Sequence, residues 1–201
     1  LTVFSRSTPG ARNDVPSIQP RVKDTKFSVD RGFYQKPFEV ELSSATEGAE
    51  IRYTLDGSPP SSRQGLIYED PILIEETSVL RVMAWKEGHL PTDIDTASYI
   101  FPSHVLKQPA RPEGWPTHYD AKVNPFFARI AGKDAVDDEG VVVKYAMASP
   151  ESLDAQPEDL EAALLALPSI SIVTDKRHFL DSRTGIHVKP EGRGREWERP
   201  V

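Results

Sequence analysis

Apolar and polar residues alternate with a period of two along Phe38-Glu-Val-Glu-Leu42, Ile51-Arg-Tyr-Thr-Leu55 and Val79-Leu-Arg-Val-Met-Ala-Trp85. That is the pattern of strands with one face buried. In the third segment Leu80, Val82 and Ala84 share one face, and Val79, Arg81, Met83 and Trp85 share the other. Ile72-Leu-Ile74 reads as a short apolar strand, and Ala97-Ser-Tyr-Ile-Phe101 closes the set. Thr46-Glu-Gly48, Asp56-Gly57 and Glu87-Gly88 mark turns between them. Short strands at a spacing of roughly 8–12 residues predict a β-sandwich. No helical period separates them, which argues against a parallel α/β sheet.

The flanks differ in pattern. Residues 1–24 are polar and interrupted by Pro9, Gly10, Pro16 and Pro20, so they read as a linker or the tail of an upstream domain. Leu1 to Ser5 reads as the last strand of something upstream. Residues 102–167 form a proline-rich connector, broken at Pro109, Pro112, Gly114 and Pro116. In it, His104 to Gln108 suits one helical turn, Pro125 to Ile130 is a small apolar cluster, and Gly140 to Tyr145 suits a strand or a buried extended segment. Pro157 to Leu167 is the best helix: Pro157 suits the first turn, Glu158 and Asp159 suit the helix N-terminus, and Leu160, Leu164 and Leu167 share a face. Residues 168–201 are expected to give a small α+β segment. Its extended pieces are Ile170 to Val173, Thr184 to Val188 and Glu196 to Val201, and Thr174 or Asp175 caps a short helix reaching Leu180.

Composition narrows the function classes. The 201 residues are 38% hydrophobic and 27% charged, which supports a modest core. Eighteen prolines favour loops and edge strands. A net charge of −7 with no basic aromatic stripe argues against nucleic acid as a partner. The absence of cysteine excludes disulfides, thiolate metal sites and a cysteine nucleophile. No apolar run approaches the roughly 20 residues that span a bilayer. The chain does not begin with methionine and ends at Arg199-Pro200-Val201, like the approach to a strand, so it is expected to be a segment of a longer protein.

Three stretches carry family resemblance. Lys26-Phe-Ser-Val-Asp-Arg-Gly-Phe-Tyr34, then Ile51-Arg-Tyr-Thr-Leu-Asp-Gly-Ser-Pro-Pro60, then Tyr68 before Pro71-Ile72, resemble the chitobiase/β-hexosaminidase C-terminal domain, also described as a fibronectin-type-III-associated repeat. The resemblance implies an immunoglobulin-like β-sandwich over residues 25–101, an accessory module of extracellular carbohydrate-active or surface proteins. Leu167-Pro-Ser-Ile-Ser-Ile-Val-Thr-Asp175, Thr184-Gly-Ile-His-Val188 and Gly194-Arg-Glu-Trp-Glu-Arg-Pro200 look like the entry to a CotH-type (spore-coat protein H) kinase-like domain. Such domains often follow the sandwich repeat in bacterial surface proteins, and the family's catalytic residues would lie beyond Val201. Thr8-Pro-Gly-Ala-Arg-Asn13 is similar to the end of a lamin-tail domain.

Each candidate residue also has a structural reading. Asp56 suits the turn Asp56-Gly57-Ser58, and equally a sugar or calcium ligand. Tyr34, Tyr53, Tyr68 and Trp85 suit a core or an aromatic sugar platform, with Trp85 and Trp115 kept as surface candidates for ligand binding. Asp93-Ile-Asp95 and Asp137-Asp-Glu139 lack the spaced ligands of a calcium loop. His89, His104, His118, His178 and His187 do not pair at zinc-ligand spacing, and no serine sits in a Gly-x-Ser-x-Gly elbow. Gly192-Arg-Gly194 lacks the third glycine of a phosphate loop, with Trp197 in that place. Ile172 and Trp197 are interface candidates, left partly uncovered if the rest of a domain is missing.

The expected protein is therefore non-catalytic, without metal or cofactor, exported to the cell exterior or surface. Its expected partners are other domains of its parent or neighbouring subunits, with glycan as a further partner. Two alternatives stay open: the front section of a CotH-type kinase, and a processed subunit of an assembly. The latter would let Val141-Val-Val143 and Glu196 to Val201 add strands to a neighbour.

Overall fold

A computed structural model describes residues 19–119, 136–147, 149, 152, 157–181, 183–189 and 192–199. The chain divides into two compact units, Leu1–Tyr99 and Ile100–Val201. The expectations for Leu1 to Ser5, Thr8 to Asn13 and Pro125 to Ile130 lie outside the described residues.

The first unit is an immunoglobulin-like β-sandwich, and the protein is mainly β. Its strands are β1 (Thr25–Phe27), β2 (Gly32–Phe33), β3 (Phe38–Val40), β4 (Leu42–Ser44), β5 (Glu50–Thr54), β6 (Leu66–Ile67), β7 (Ile72–Ile74), β8 (Ser78–Trp85) and β9 (Asp95–Ile100). One sheet has the order β2-β9-β8-β5-β6, and two pairs, β1-β4 and β3-β7, complete the sandwich. The predicted strand Phe38 to Leu42 divides at Glu41. Its first half pairs antiparallel with β7 and its second half with β1. Ser28 holds the division open, because its hydroxyl accepts the Glu41 amide at 2.8 Å and its own amide donates to the Glu41 carbonyl at 3.0 Å.

The alternation in β8 sets the core. Leu80, Val82 and Ala84 are fully buried, with Ala97 and Tyr99 beside them on β9. Val40, Leu42, Ile72 and Ile74 are buried on the smaller pairs. Tyr99 joins the layers: its ring meets Phe38 edge-on at 5.3 Å, and its hydroxyl donates to the Val29 carbonyl at 2.9 Å. Burial pushes the Tyr99 hydroxyl up to about 12, with Tyr34 and Asp30 adding to the rise. Tyr34 packs on Phe38 at 4.1 Å, so this member of the aromatic set belongs to the packing rather than to a sugar platform.

The second unit contains α1 (Pro102–Leu106), β10 (His118–Tyr119), β11 (Val136–Asp137), β12 (Gly140–Val142), α2 (Pro157–Ala166), α3 (Lys176–Leu180) and a 3-10 turn at Arg195–Trp197. The small sheet has the order β10-β12-β11. Val141, Leu180 and Val188 form a buried cluster with Val143 against it. Pro102 opens α1 where a missing N–H costs nothing, two residues before the expected start. The Asp175 carboxylate caps α3 by accepting the Arg177 amide at 3.0 Å.

None of the three extended pieces expected in residues 168–201 forms a strand among the described residues. Residues 168–175 are not paired into any sheet of the described residues, and an unpaired segment is not stable as a strand. Thr184 to Val188 folds into turns. Asp181 gathers the amides of Arg183 and Thr184 at 2.9 and 2.8 Å, and the Ile186 and His187 amides return to the His178 and Phe179 carbonyls at 3.0 and 3.1 Å. The start of Glu196 to Val201 is the 3-10 turn.

Candidate functional site

The outward face of the five-stranded sheet carries the main candidate. β5 and β8 run antiparallel with Glu50 opposite Trp85 and Arg52 opposite Met83. Side chains alternate across a strand, so Glu50, Arg52, Met83 and Trp85 share the face opposite the core residues Ala84 and Val82. The Trp85 indole N–H donates to Glu50 Oε1 at 2.9 Å, and Arg52 Nε donates to the same oxygen at 2.6 Å. Arg52 Nη1 reaches the Gly65 carbonyl at 3.2 Å, which fixes the guanidinium plane. The bond from Trp85 is the chief reason that the Glu50 carboxyl lies below its ordinary range. Ile67 stands opposite Arg52 on β6 and is exposed.

Asp56 is committed to its turn. Its Oδ1 accepts the Ser58 hydroxyl at 2.6 Å and the Ser58 amide at 3.0 Å, which hold its carboxyl below the usual range. Gly57 takes a φ of 77°, and its carbonyl accepts from Arg81 at 3.2 Å. The Ser58 carbonyl in turn accepts the Thr54 hydroxyl at 2.5 Å.

Trp115 lies in the second unit, exposed on a braced loop. Its ring meets Tyr145 edge-on at 5.2 Å, and the Tyr145 hydroxyl donates to the Pro116 carbonyl at 2.9 Å. The Lys176 ammonium stands 4.9 Å from the indole centroid and donates to the Gly114 carbonyl at 3.1 Å. Trp85 and Trp115 belong to different units.

The two interface candidates diverge. Ile172 is 71% exposed, and Ile170 beside it is 89% exposed. Trp197 is half-buried, with its indole against Gly192 and the Arg199 guanidinium 5.5 Å from the ring centroid. Part of its cover therefore comes from its own segment. Gly192 makes room for the indole and Gly194 takes a φ of 97° before the 3-10 turn, so the first glycine of Gly192-Arg-Gly194 has a packing role and the second a backbone role.

One pairing escaped the spacing argument. His118 on β10 lies 3.0 Å from Asp137 Oδ2 on β11 and 3.3 Å from Glu139 Oε2. The His118 contact is the chief reason that the Asp137 carboxyl lies below its ordinary range. The three residues meet through the β10-β12-β11 sheet, which linear spacing does not reveal. No group of three or more His, Cys, Asp or Glu residues suited to a metal ion occurs among the described residues. Nor is any helix among them long and apolar enough to cross a membrane.

The strands and turns together define an immunoglobulin-like module. Residues 29–96, from the approach to β2 to the first residues of β9, match the chitobiase/beta-hexosaminidase C-terminal domain family. That family is a non-catalytic accessory domain of larger glycosidases, found in secreted ones. The match lends no support to the CotH-type resemblance near residues 167–200 or to the lamin-tail resemblance at Thr8 to Asn13. No curated protein and no solved structure matches the chain.

Proposed function

We propose that this chain is a non-catalytic accessory section of a larger exported bacterial protein, in which the sandwich spaces neighbouring domains and contacts glycan or protein. The carrying observation is the family match across residues 29–96, which takes in β2 to β8 and the first residues of β9. The proposed organisation is a linker or upstream tail over 1–24, the sandwich over 25–101, a connector over 102–167 and a distinct closing segment over 168–201. The test is fractionation of source cells with an antibody to this chain, followed by deletion of residues 25–101 from the native protein. The antigen is expected in the exported or surface fraction. The deletion is expected to weaken retention on surface polysaccharide or partner protein and to leave turnover of a small soluble substrate intact. A cytosolic antigen, or loss of that turnover through a point change in the sandwich, would sink the reading.

The exposure of Ile170 and Ile172 favours a second reading, in which residues 168–201 open a CotH-type kinase-like domain whose catalytic residues lie outside this chain. ATP-dependent phosphorylation by the native protein would support it, and a native mass equal to that of this chain would favour a processed subunit instead.

A further inference from the structure

The Trp85 face differs from the rest of the sandwich surface in how it uses its polar groups. Glu50 receives two hydrogen bonds on one oxygen, Oε1, and neither engages Oε2. Arg52 spends Nε on Glu50 and Nη1 on Gly65, which leaves Nη2 outside those bonds. The side chains of Arg52 and Glu50 keep 17% and 34% of their exposure, so an acceptor and a donor are presented with their planes already fixed. Trp85 is part-buried, and its indole N–H is taken up by Glu50, so any further contact of the ring is through its apolar surface. Ile67 extends the apolar strip on the far side of Arg52.

A pyranose ring matches this arrangement. One face of the sugar is a plane of C–H groups that packs on an indole, and its equatorial hydroxyls each need an acceptor or a donor at the rim. A carboxylate and a guanidinium held side by side supply both, and little ordering remains to be done on binding. Their charges offset one another, so the face gives no preference to an ionic sugar.

We propose that Trp85, Glu50 and Arg52 form a binding subsite for a neutral pyranose unit of a polysaccharide. The subsite rests on the accessory reading and names the ligand class of its glycan contact. Trp85 stacks on the sugar, Glu50 Oε2 accepts one hydroxyl, and Arg52 Nη2 donates to a neighbouring ring or hydroxyl oxygen.

The test titrates the full chain with a β-1,4-linked glucose hexasaccharide, its N-acetylglucosamine counterpart and an acidic galacturonate hexasaccharide, read by calorimetry. At least one neutral hexasaccharide is expected to bind, and the galacturonate to bind more weakly. Trp85→Ala is expected to weaken binding about tenfold or more, and Glu50→Gln by roughly threefold, since each removes one contact while the others stay. Leu73→Ser, on the opposite pair β3-β7, is expected to bind like the parent chain. Circular dichroism identifies any variant that fails to fold, and Glu50→Gln keeps the proposal testable if Trp85→Ala does. The proposal is overturned if the unaltered chain binds neither neutral hexasaccharide, if it prefers the galacturonate, or if a folded Glu50→Gln or Trp85→Ala variant binds within about twofold of it. If the native protein still loses polysaccharide retention on deletion of residues 25–101, the accessory reading survives the loss of this subsite.

Discussion

Gly192 lies directly beneath the indole of Trp197: a β-carbon built on Gly192 would stand 2.3 Å from Cδ2 and 2.4 Å from Cε2 of the ring. The contact accounts for the first glycine of a motif that otherwise suggests phosphate. Gly192→Ala is expected to expel the indole and cost about 1–3 kcal/mol of local stability, as overpacking does. Hydrogen exchange should show faster amides at Trp197 and Glu198, with the sandwich amides unchanged. Protection equal to that of the parent chain would mean that the ring is not held there.

A second glycine makes a sharper case. Gly65 has a φ of 103°, and a β-carbon on it would lie 2.8 Å from the Tyr53 carbonyl oxygen. That oxygen belongs to β5 and cannot swing aside as a side chain can. Gly65→Ala is therefore expected to destabilise the sandwich by about 1–3 kcal/mol, through strain at this φ and the β5-β6 contact. Urea unfolding should show a lower midpoint with an unchanged slope.

These positions show where sequence reading works. The period of two in β8 separated its two faces, because alternation is a local property: Leu80, Val82 and Ala84 share one face and are all fully buried, while Met83 on the other face is buried as well. The helix at Pro157–Ala166 was legible from its proline, acidic first turn and leucine spacing. Ile170 to Val173 has the same strand-like alternation as β5, yet it is no strand, since pairing depends on a neighbour that a pattern does not contain. The division at Glu41 was hidden for a similar reason: it follows from two different partners and the Ser28 hydroxyl. Trp85 could be nominated from its outward position, but its bond to Glu50 and the shared oxygen with Arg52 required the β5-β8 register. The His118–Asp137 pair likewise needed the order of the small sheet.

Tyr99 gives the sandwich an alkaline limit. Its folded hydroxyl titrates at about 12 against an ordinary value of 10.0, so the folded state holds its proton where the unfolded chain has released it. Stability from this group is fully present below the unfolded value and falls as pH rises toward the folded one, by on the order of 2 kcal/mol. Tyr99→Phe is expected to cost about 0.5–1.5 kcal/mol at neutral pH by leaving the Val29 carbonyl without its donor. Between pH 9 and 11.5 the variant should lose less stability than the parent chain. Equal losses in denaturant titrations would remove Tyr99 as the cause.

Asp56 separates a turn from a metal site. If its role is to receive Ser58, Asp56→Ala costs about 1 kcal/mol while Asp56→Asn, which keeps an acceptor, costs less. Its carboxyl is held low, so the stability it adds is present above the unfolded value and lost as pH falls through the folded one. Calcium addition and chelator are both expected to leave the melting temperature of the parent chain unchanged. A calcium-dependent rise that Asp56→Ala abolishes would reinstate the ligand role.

Ile170 and Ile172 are expected to matter for association and not for folding. They are 89% and 71% exposed, so they bury little apolar surface within the chain, and replacing both with serine should shift stability by no more than about 0.5 kcal/mol. Two β-branched residues on one side of an extended segment remain a ready contact for another apolar surface. The Ile170→Ser, Ile172→Ser double variant should therefore melt at the parent temperature and stay monomeric at concentrations where the parent chain associates, as read by sedimentation velocity. A large drop in melting temperature would show that the isoleucines pack within the chain, and unchanged association would place the sticky surface elsewhere. Leu167, 64% exposed at the end of α2, is the next residue to replace in that event.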